Sequence, residues 1–557
     1  MSYCKRPGAL PDESIVTQIG AIIIAYIEIK NCEIPDFFEN NYKIEYIPSD
    51  ICIFLGNSMT RIAFSKLPVL TVIALSLTMA GCADQGGITP QAQVRDVAVL
   101  EAGQAIRQAA SEAGWPQRAW WQVYGDTQLD QLVKRAVAGN PSMAVAAARV
   151  RQAQSMAVVA HAGELPNAQL DVAVGRKDWS DNVYYGAAFR DKLTWNNTAT
   201  LGLSYNVDLW DRNKNTTLRA QDEMHAVAAD ARAAQLDLEG NVVRTYVQLA
   251  LQYGLLDNTE AMLKQEQNIL DLARRRFNGG LGTQLDITQA EAPLPETRRQ
   301  IEALQENIAL IRNQLAALLG EGPGAADGVT RPGMALHTAI GLPSALPADL
   351  VGRRPDISAA RWRVEAAAKG ISVAKAAFYP NLNLLAGIGP AAAGGGLFSF
   401  LSAPNLQTTY GPAISLPIFE GGRLRGQLGA ASAGYDIEVE HYNALLSQAL
   451  KGISDQVVTL QSVARQQQQA QESVRAAQKS VDIATRAYQR GLTDYLNVLH
   501  AQTQWLRQQQ IVQQLQAQRL AAYAALQTAL GGGMDNSPET PSAAATTAAE
   551  PAKVAAR

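Results

Sequence analysis

Few residues of this 557-residue chain carry the means for side-chain chemistry. Its cysteines are Cys4, Cys32, Cys52 and Cys82, and none follows. That excludes a disulfide framework or a thiolate metal site in the body of the chain. The five histidines are scattered. No Gly-rich phosphate loop follows a strand pattern, no Cys/His cluster occurs and no nucleophile elbow is found. The one glycine run, Gly394–Gly396, falls in a loop between strands. Catalysis has no constellation to rest on, so no enzyme is expected. Net charge is −3 and charged residues make up 18 %, so there is no basic field for nucleic acid. One thiol has a context. Cys82 follows Ala80 and Gly81 at the end of an apolar run, where a nucleophilic sulfur is placed to take a lipid.

The context begins at Met59. Arg61 and Lys66 form a basic n-region, Leu67–Met79 an apolar h-region, and Ala80-Gly81-Cys82 a small-residue site ending in cysteine. This resembles a bacterial lipoprotein signal. The Cys82 thiol would take a diacylglycerol, and its amine, freed by cleavage, a further acyl chain. Several chains bury enough CH₂ groups for stable anchoring. Ala83, rather than Asp, favours the outer membrane by analogy. Residues 1–58, rich in Ile, Asn and Tyr, differ from the Ala-, Gln- and Leu-rich remainder and read as a mis-assigned extension ahead of a start at Met59.

The elements that position the rest occur twice. Asn140-Pro141 opens an Ala-rich helical stretch reaching Leu165-Pro166-Asn167, and Arg354-Pro355 opens another reaching Tyr379-Pro380-Asn381. From Ser204/Ser415 onward the two copies stay in register, with Gly280/Gly491, Leu281/Leu492 and Leu285/Leu496 as further pairs. Proline at a first helical position suits its missing N–H. Thr200–Leu209 alternates strictly, with Leu201, Leu203, Tyr205 and Val207 against Thr200, Gly202, Ser204 and Asn206, the mark of a strand with one apolar face. Leu170, Val172 and Val174 mark a second strand, and Leu382, Leu384, Ala386 and Ile388 a third. Tyr410, Ile414, Leu416 and Ile418 mark a fourth, with Pro412 and Pro417 inside it. Aromatic loop 177–197 and Gly-rich loop 390–407 link the strands.

After each strand pair the sequence predicts a very long helix, the first over 213–277. Val242, Leu249, Leu256, Leu263, Leu270 and Phe277 recur every seven residues, as do Ile453, Leu460, Gln467, Val474, Val481 and Tyr488. That repeat predicts coiled-coil packing. Short breaks at Asn278–Gly282 and Arg490–Thr493 turn the chain into return helices that end near Gly320 and Gly531, making two αα-hairpins. Pro293 and Pro295 should kink the first return helix only. The expected division is 1–58 extension, 59–81 signal, 82–115 lipidated linker, 116–320 first repeat, 321–352 inter-repeat linker, 353–532 second repeat and 533–557 disordered tail.

Four amphipathic strands cannot close a cylinder, and an open edge does not survive in lipid. If they span a membrane, several subunits must pool them. The reading is an α+β membrane protein with four transmembrane β-strands per protomer. The shared barrel would continue as a helical tube.

The chain resembles the outer-membrane factors of tripartite efflux pumps, the TolC/OprM-like proteins, in their lipoprotein (NodT-type) branch. The resemblance runs from about Trp120 to Gly531. It is carried by Trp120-Trp121, Leu132-Val133, Asn140-Pro141, Arg353-Arg354-Pro355-Asp356-Ile357, the Leu-Pro-Asn and Tyr-Pro-Asn segments at the strand starts, FNGGLGTQLD and YQRGLTDYLNVLHAQ. It implies a homotrimer with a twelve-stranded barrel in the outer membrane and an antiparallel α-helical barrel in the periplasm. It implies a periplasmic adaptor (membrane-fusion) protein and an inner-membrane resistance-nodulation-division pump as partners, and no cofactor beyond the lipid on Cys82. By position, Asp286 matches the acidic residue of the family's periplasmic constriction and Leu496 its hydrophobic ring. His500 and Asn497 stand where relatives carry Asp. Three His500 side chains would be neutral or cationic according to pH, which departs from a purely acidic gate. Asp286 could equally be a carboxylate favoured by a helix N-terminus, His500 a helix–helix contact, and Asp494 a helix cap.

The function expected is a passive exit duct for drugs or other small toxic compounds. The same architecture could serve type I protein secretion or copper/silver efflux. A structural coiled-coil surface lipoprotein is the alternative of another class.

Overall fold

The computed structural model describes residues 85–96, 103–111, 115–179, 192–335, 342–343 and 353–533. The extension 1–58, the signal 59–81, Cys82 and the tail beyond 533 lie outside the described residues, as do Tyr184, Tyr185 and Phe189 of the aromatic loop.

The repeat is plain in the element order. Helix α1 (Gly103–Ala109) precedes a 3₁₀ turn at Trp120–Tyr124 and helix α2 (Thr127–Gly139). The first copy then runs through α3 (Pro141–Ala162), β1 (Asn167–Ala173), a short β2 (Arg176–Asp178), β3 (Leu193–Val207) and α4 (Arg212–Asn278). It returns through α5 (Gln284–Glu291) and α6 (Pro293–Leu319). The second copy has α7 (Pro355–Ala376), β4 (Asn381–Ala393), β5 (Leu406–Ser415), α8 (Arg423–Gln489) and α9 (Tyr495–Ala529). Both long helices have 67 residues, about 100 Å at 1.5 Å per residue.

The strands form one antiparallel ladder in the order β1-β3-β4-β5, with β2 on β3. The two copies join at β3 and β4, where Leu203 pairs with Ala386 and Leu201 with Ile388. One face carries Leu170, Leu201 and Ile388 in a row and Leu203, Ala386 and Tyr410 in the next. Leu170, Leu201, Leu203, Ile388, Tyr410 and Ile414 are all exposed on it. The other face presents Gln169, Gly202, Gly387 and Thr409 in one row and Asn206 with Asn383 in another. Among the described residues no further strand pairs with the outer edges of β1 and β5.

Strand limits differ from the sequence reading in several places, and Val174 lies just past the end of β1. Strand β3 begins seven residues ahead of Thr200, because Asn197, only 1 % exposed, ties the extension down. Its Oδ1 accepts from the Gly175 N–H at 3.1 Å and its Nδ2 donates to the Leu397 carbonyl at 2.7 Å. Strand β4 runs past Pro390 to Ala393, and β5 starts at Leu406. Strand β5 also stops at Ser415, so Leu416 and Ile418 lie beyond it. Pro412 is inside β5 opposite Leu384, on an edge strand, where a proline's missing N–H is tolerated.

The heptads pack as expected at the level of the long helices. Val242, Leu249, Leu256 and Leu270 are buried in copy one, and Ile453, Leu460, Val481 and Tyr488 in copy two. Phe277 departs from the pattern at 42 % exposed, whereas Tyr488 at the same repeat position is 3 % exposed. A continuous core joins α2, α4, α6, α8 and α9 through residues such as Leu129, Val242, Leu315, Leu446 and Leu520. Full burial of such a side chain is worth about 1.5–3 kcal/mol. Each return helix ends on a glycine with positive φ, Gly320 at 76° and Gly531 at 95°. A Cβ on either would strike backbone, the Gly139 carbonyl oxygen and the Arg353 carbonyl oxygen respectively. Glycine is therefore required twice, for conformation and for space.

The first described segment, residues 85–96, lies along α8. Ile88 packs with Ile371, Phe378 and Leu428. The Gln91 and Ala92 N–H groups donate to Asp436 Oδ1 at 2.9 and 2.8 Å. Asn443 accepts from Arg95 N–H at 2.9 Å and donates to the Gln93 carbonyl at 3.1 Å.

Candidate gate at the hairpin tips

Each long helix ends on a glycine turn. Gly280 and Gly491 have φ of 71° and 74°. The next residues close the turn, Leu281 N–H onto the Arg276 carbonyl at 2.8 Å and Leu492 N–H onto the Ala487 carbonyl at 2.9 Å. A left-handed glycine lets a helix end this abruptly while its last carbonyls stay paired. The return helices then start with caps of opposite chemistry. In copy one Thr283 and Asp286 form a capping box. The Asp286 N–H donates to Thr283 Oγ1 at 3.2 Å, and Asp286 Oδ2 accepts from the Thr283 N–H at 2.7 Å. In copy two Asp494 is the cap and accepts from the Asn497 N–H at 3.2 Å, while Asn497 Nδ2 donates to Thr493 Oγ1 at 2.8 Å. Asp494 takes the capping role set out for it above. Each tip therefore carries one carboxylate at a helix N-terminus, where the helix dipole favours it.

Asp286 stands on α5 and Leu496 and His500 on α9. Those two helices pack through Ile287, Ala290, Tyr495 and Val498. Leu496 is 40 % exposed and His500 is exposed, one turn apart on α9. Leu281, Leu285 and Leu492 are exposed at the same tips. Within one protomer no hydrogen bond or ion pair joins any two of Asp286, Leu496 and His500.

Two features of this region were not singled out in the sequence. Arg276 bridges the copies: Nη1 donates to the Tyr488 carbonyl at 2.7 Å, Nη2 donates to the Leu281 carbonyl at 3.3 Å, and the guanidinium sits 4.9 Å from the Tyr488 ring centroid. Glu266 is 2 % exposed and its Oε2 accepts from Thr297 Oγ1 at 2.8 Å. Burial raises its pKa, and the Thr297 hydroxyl opposes that. The signal was present, since Glu266 lies three residues after Leu263 and so falls at the second inner position of the heptad.

Among the described residues no group of three or more His, Cys, Asp or Glu is arranged to hold a metal, and no helix is long and apolar enough to cross a membrane.

The model of the outer membrane efflux protein family matches residues 132–321 and again 346–532. The chain belongs to that family. It is an outer-membrane efflux channel. The fusaric acid resistance protein FusA of Burkholderia cepacia is 53 % identical over 366 residues, 66 % of this chain and 69 % of that protein. The multidrug resistance outer membrane protein MdtP of Escherichia coli is 28 % identical over 491 residues, covering 85 % of this chain and 98 % of MdtP. The crystal structure of the outer membrane protein VceC from Vibrio cholerae is 35 % identical and superposes with a TM-score of 0.70, covering 75 % of this chain and all of VceC.

Proposed function

We propose that three copies of this channel assemble into one twelve-stranded barrel continued by a helical tube. The assembly is the passive exit duct of a tripartite pump. The observation that carries this is the four-strand ladder with an apolar face and two outer edges that are unpaired among the described residues. Lipid does not tolerate such edges, and pairing β1 of one copy with β5 of the next removes them. The helices support the same closure. Helix α7 has nine buried residues because it packs on both α4 and α8. Its repeat counterpart α3 has none, and beside it lies a groove of about 670 Å³ lined by residues including Arg149, Met156, Arg219 and Asp230. Helix α8 of a neighbouring copy fits the repeat geometry there.

In this reading Asp286, Leu496 and His500 from three copies ring the periplasmic constriction. The tips with their exposed leucines meet a periplasmic adaptor, and an inner-membrane resistance-nodulation-division pump supplies the energy. Cys82 carries the lipid. Residues 85–96 support that, because they lead back along α8 to Gly86 beside the Arg425 side chain near the start of that helix. Cys82 is three residues before Gln85, about 10 Å of extended chain.

The cargo proposed is a small toxic organic compound, with an aromatic acid such as fusaric acid first in line from the name of the 53 % identical relative. The test is a deletion strain complemented with the gene and challenged with fusaric acid, with copper and silver, and with a type I secretion reporter. Restored resistance to the acid alone supports the reading. Restored metal tolerance or protein secretion would replace it, and a monomeric product extracted without detergent would end it.

A further inference from the structure

Glu266 is buried in the seam where the first hairpin meets α9. Leu270 and Ala273 on α4, Leu294 on α6 and Tyr495 and Val498 on α9 surround that seam. From α6 the carboxyl faces Thr297, and from α9 it faces Tyr495, with Tyr488 of α8 behind at 5.8 Å between ring centroids. Neither tyrosine hydroxyl has a partner. No cation contributes to the state of the carboxyl; burial raises its hold on the proton, and the Thr297 hydroxyl bond opposes that. A buried carboxylate without a cation is costly, and such a group favours its neutral form.

The Thr297 hydroxyl also reaches a second acceptor. Thr297 Oγ1 lies 2.8 Å from Glu266 Oε2 and 3.2 Å from the Pro293 carbonyl oxygen. One hydroxyl proton shared between two acceptors serves each only in part. A neutral Glu266 resolves this: its O–H donates to Thr297 Oγ1, and the threonine proton goes on to Pro293. Pro293 is the first residue of α6, directly after the break from α5. Its missing N–H, and that of Pro295, remove two ties a continuous helix would have. The state of Glu266 is thus wired to the joint of the first return helix. Copy two has no such joint, since α9 runs unbroken and Ala477 stands at the equivalent of Glu266.

We propose that Glu266 and Thr297 form a proton-operated latch, closed when the carboxyl is neutral. Ionisation would draw water into the seam and free α5 to pivot at Ala292–Pro293. The carboxyl's folded-state affinity for its proton is raised, so the closed seam is most stable in acid. That stability is lost as pH rises past the carboxyl's ordinary range.

The test uses the full-length channel with cysteine introduced at buried Ala273, labelled by maleimide and normalised to a second protein with cysteine at exposed Lys264. After correction for thiolate fraction, labelling should be roughly tenfold faster at about pH 8 than at about pH 5.5. Adding Glu266→Gln, whose amide can donate to Thr297 as the neutral acid does, should bring that ratio to about one at the slow level. Glu266→Leu serves if the Gln variant does not assemble. Glu239→Gln, 27 residues away on the same helix and roughly 40 Å along it, should leave the ratio unchanged. A pH-independent ratio in the parent, or an unchanged ratio after Glu266 substitution, overturns the latch. Planar-bilayer conductance separates this from the duct reading on which its purpose rests. An assembly that never conducts defeats the duct, while the labelling ratio still decides the latch.

Discussion

Asn140 donates from Nδ2 to the Leu318 carbonyl at 2.8 Å, tying the start of α3 to the last turn of the first return helix. At the matching place in the second copy Arg354 donates from Nη1 to the Ala529 carbonyl at 2.9 Å. The same backbone acceptor is satisfied by an amide in one copy and a guanidinium in the other. Asn140 also caps α3 through Ser142 N–H, and Arg354 also holds Asp356 by two bonds at 3.0 and 2.6 Å. Asn140→Ala should therefore cost about 1–2 kcal/mol. Arg354→Ala should cost more, about 2–4 kcal/mol, because a partly buried Asp356 loses its cation and keeps only the Ile357 N–H. Thermal melts of the detergent-solubilised protein measure both.

The sheet makes a prediction by face. Leu203→Lys puts a charge on the exposed apolar face and should cost about 2–4 kcal/mol or block membrane assembly if that position is near the bilayer centre. Thr200→Lys, on the opposite face, should be inserted normally and alter ion selectivity instead. Heat-modifiable migration on gels and single-channel reversal potentials report the two effects. Equal damage from both would mean that lipid does not cover the Leu203 face.

Much of this architecture was legible because two periods carry it. The strict alternation of Leu201–Val207 and the seven-residue spacing of Val242–Leu270 are the packing itself written in sequence. Pro293 and Pro295 marked the broken return helix for the same reason, since a missing N–H acts locally. What stayed hidden depends on contacts between distant segments. Strand β3 reaches back through Trp195 and Asn196 because Asn197 is gripped from Gly175 and Leu397, which no local pattern announces. The Arg276 bracket lies between residues 212 positions apart. At the candidate gate, Asp286 and Leu496 are placed by resemblance, whereas the capping box around Asp286 is legible locally as Thr-x-x-Asp.

The Arg276 bracket predicts an asymmetry between its two partners. Arg276→Ala removes both carbonyl bonds and the contact with the Tyr488 ring, so the tips should loosen and mean conductance rise. Lysine should restore the contact only in part, because it lacks the planar fork. Tyr488→Phe should be close to neutral, since its buried hydroxyl has no partner to lose. Planar-bilayer recordings of the three variants check this, and a Tyr488→Phe effect as large as that of Arg276→Ala would show that the hydroxyl, not the ring, matters.

Glu239 supplies a stability test independent of conduction. It is 2 % exposed in α4, Oε1 accepts from Gln235 Nε2 at 2.8 Å and Oε2 has no partner. Burial pushes its pKa up to about 7, against the opposing pull of Gln235 and of Arg118. The folded state therefore holds a proton that the unfolded chain has already released. Stability from this group is complete below the ordinary carboxylate range and falls as pH rises through about 7. The full loss is on the order of 3 kcal/mol per protomer at about 1.4 kcal/mol per pH unit. Glu239→Gln keeps the shape without the titration, so its melting temperature should be nearly flat from about pH 5 to about pH 8, where the parent declines. A parent curve that rises over that interval would mean that Glu239 is ionised and paired in the assembled channel, with Arg118, whose charge already acts on it, as the candidate partner.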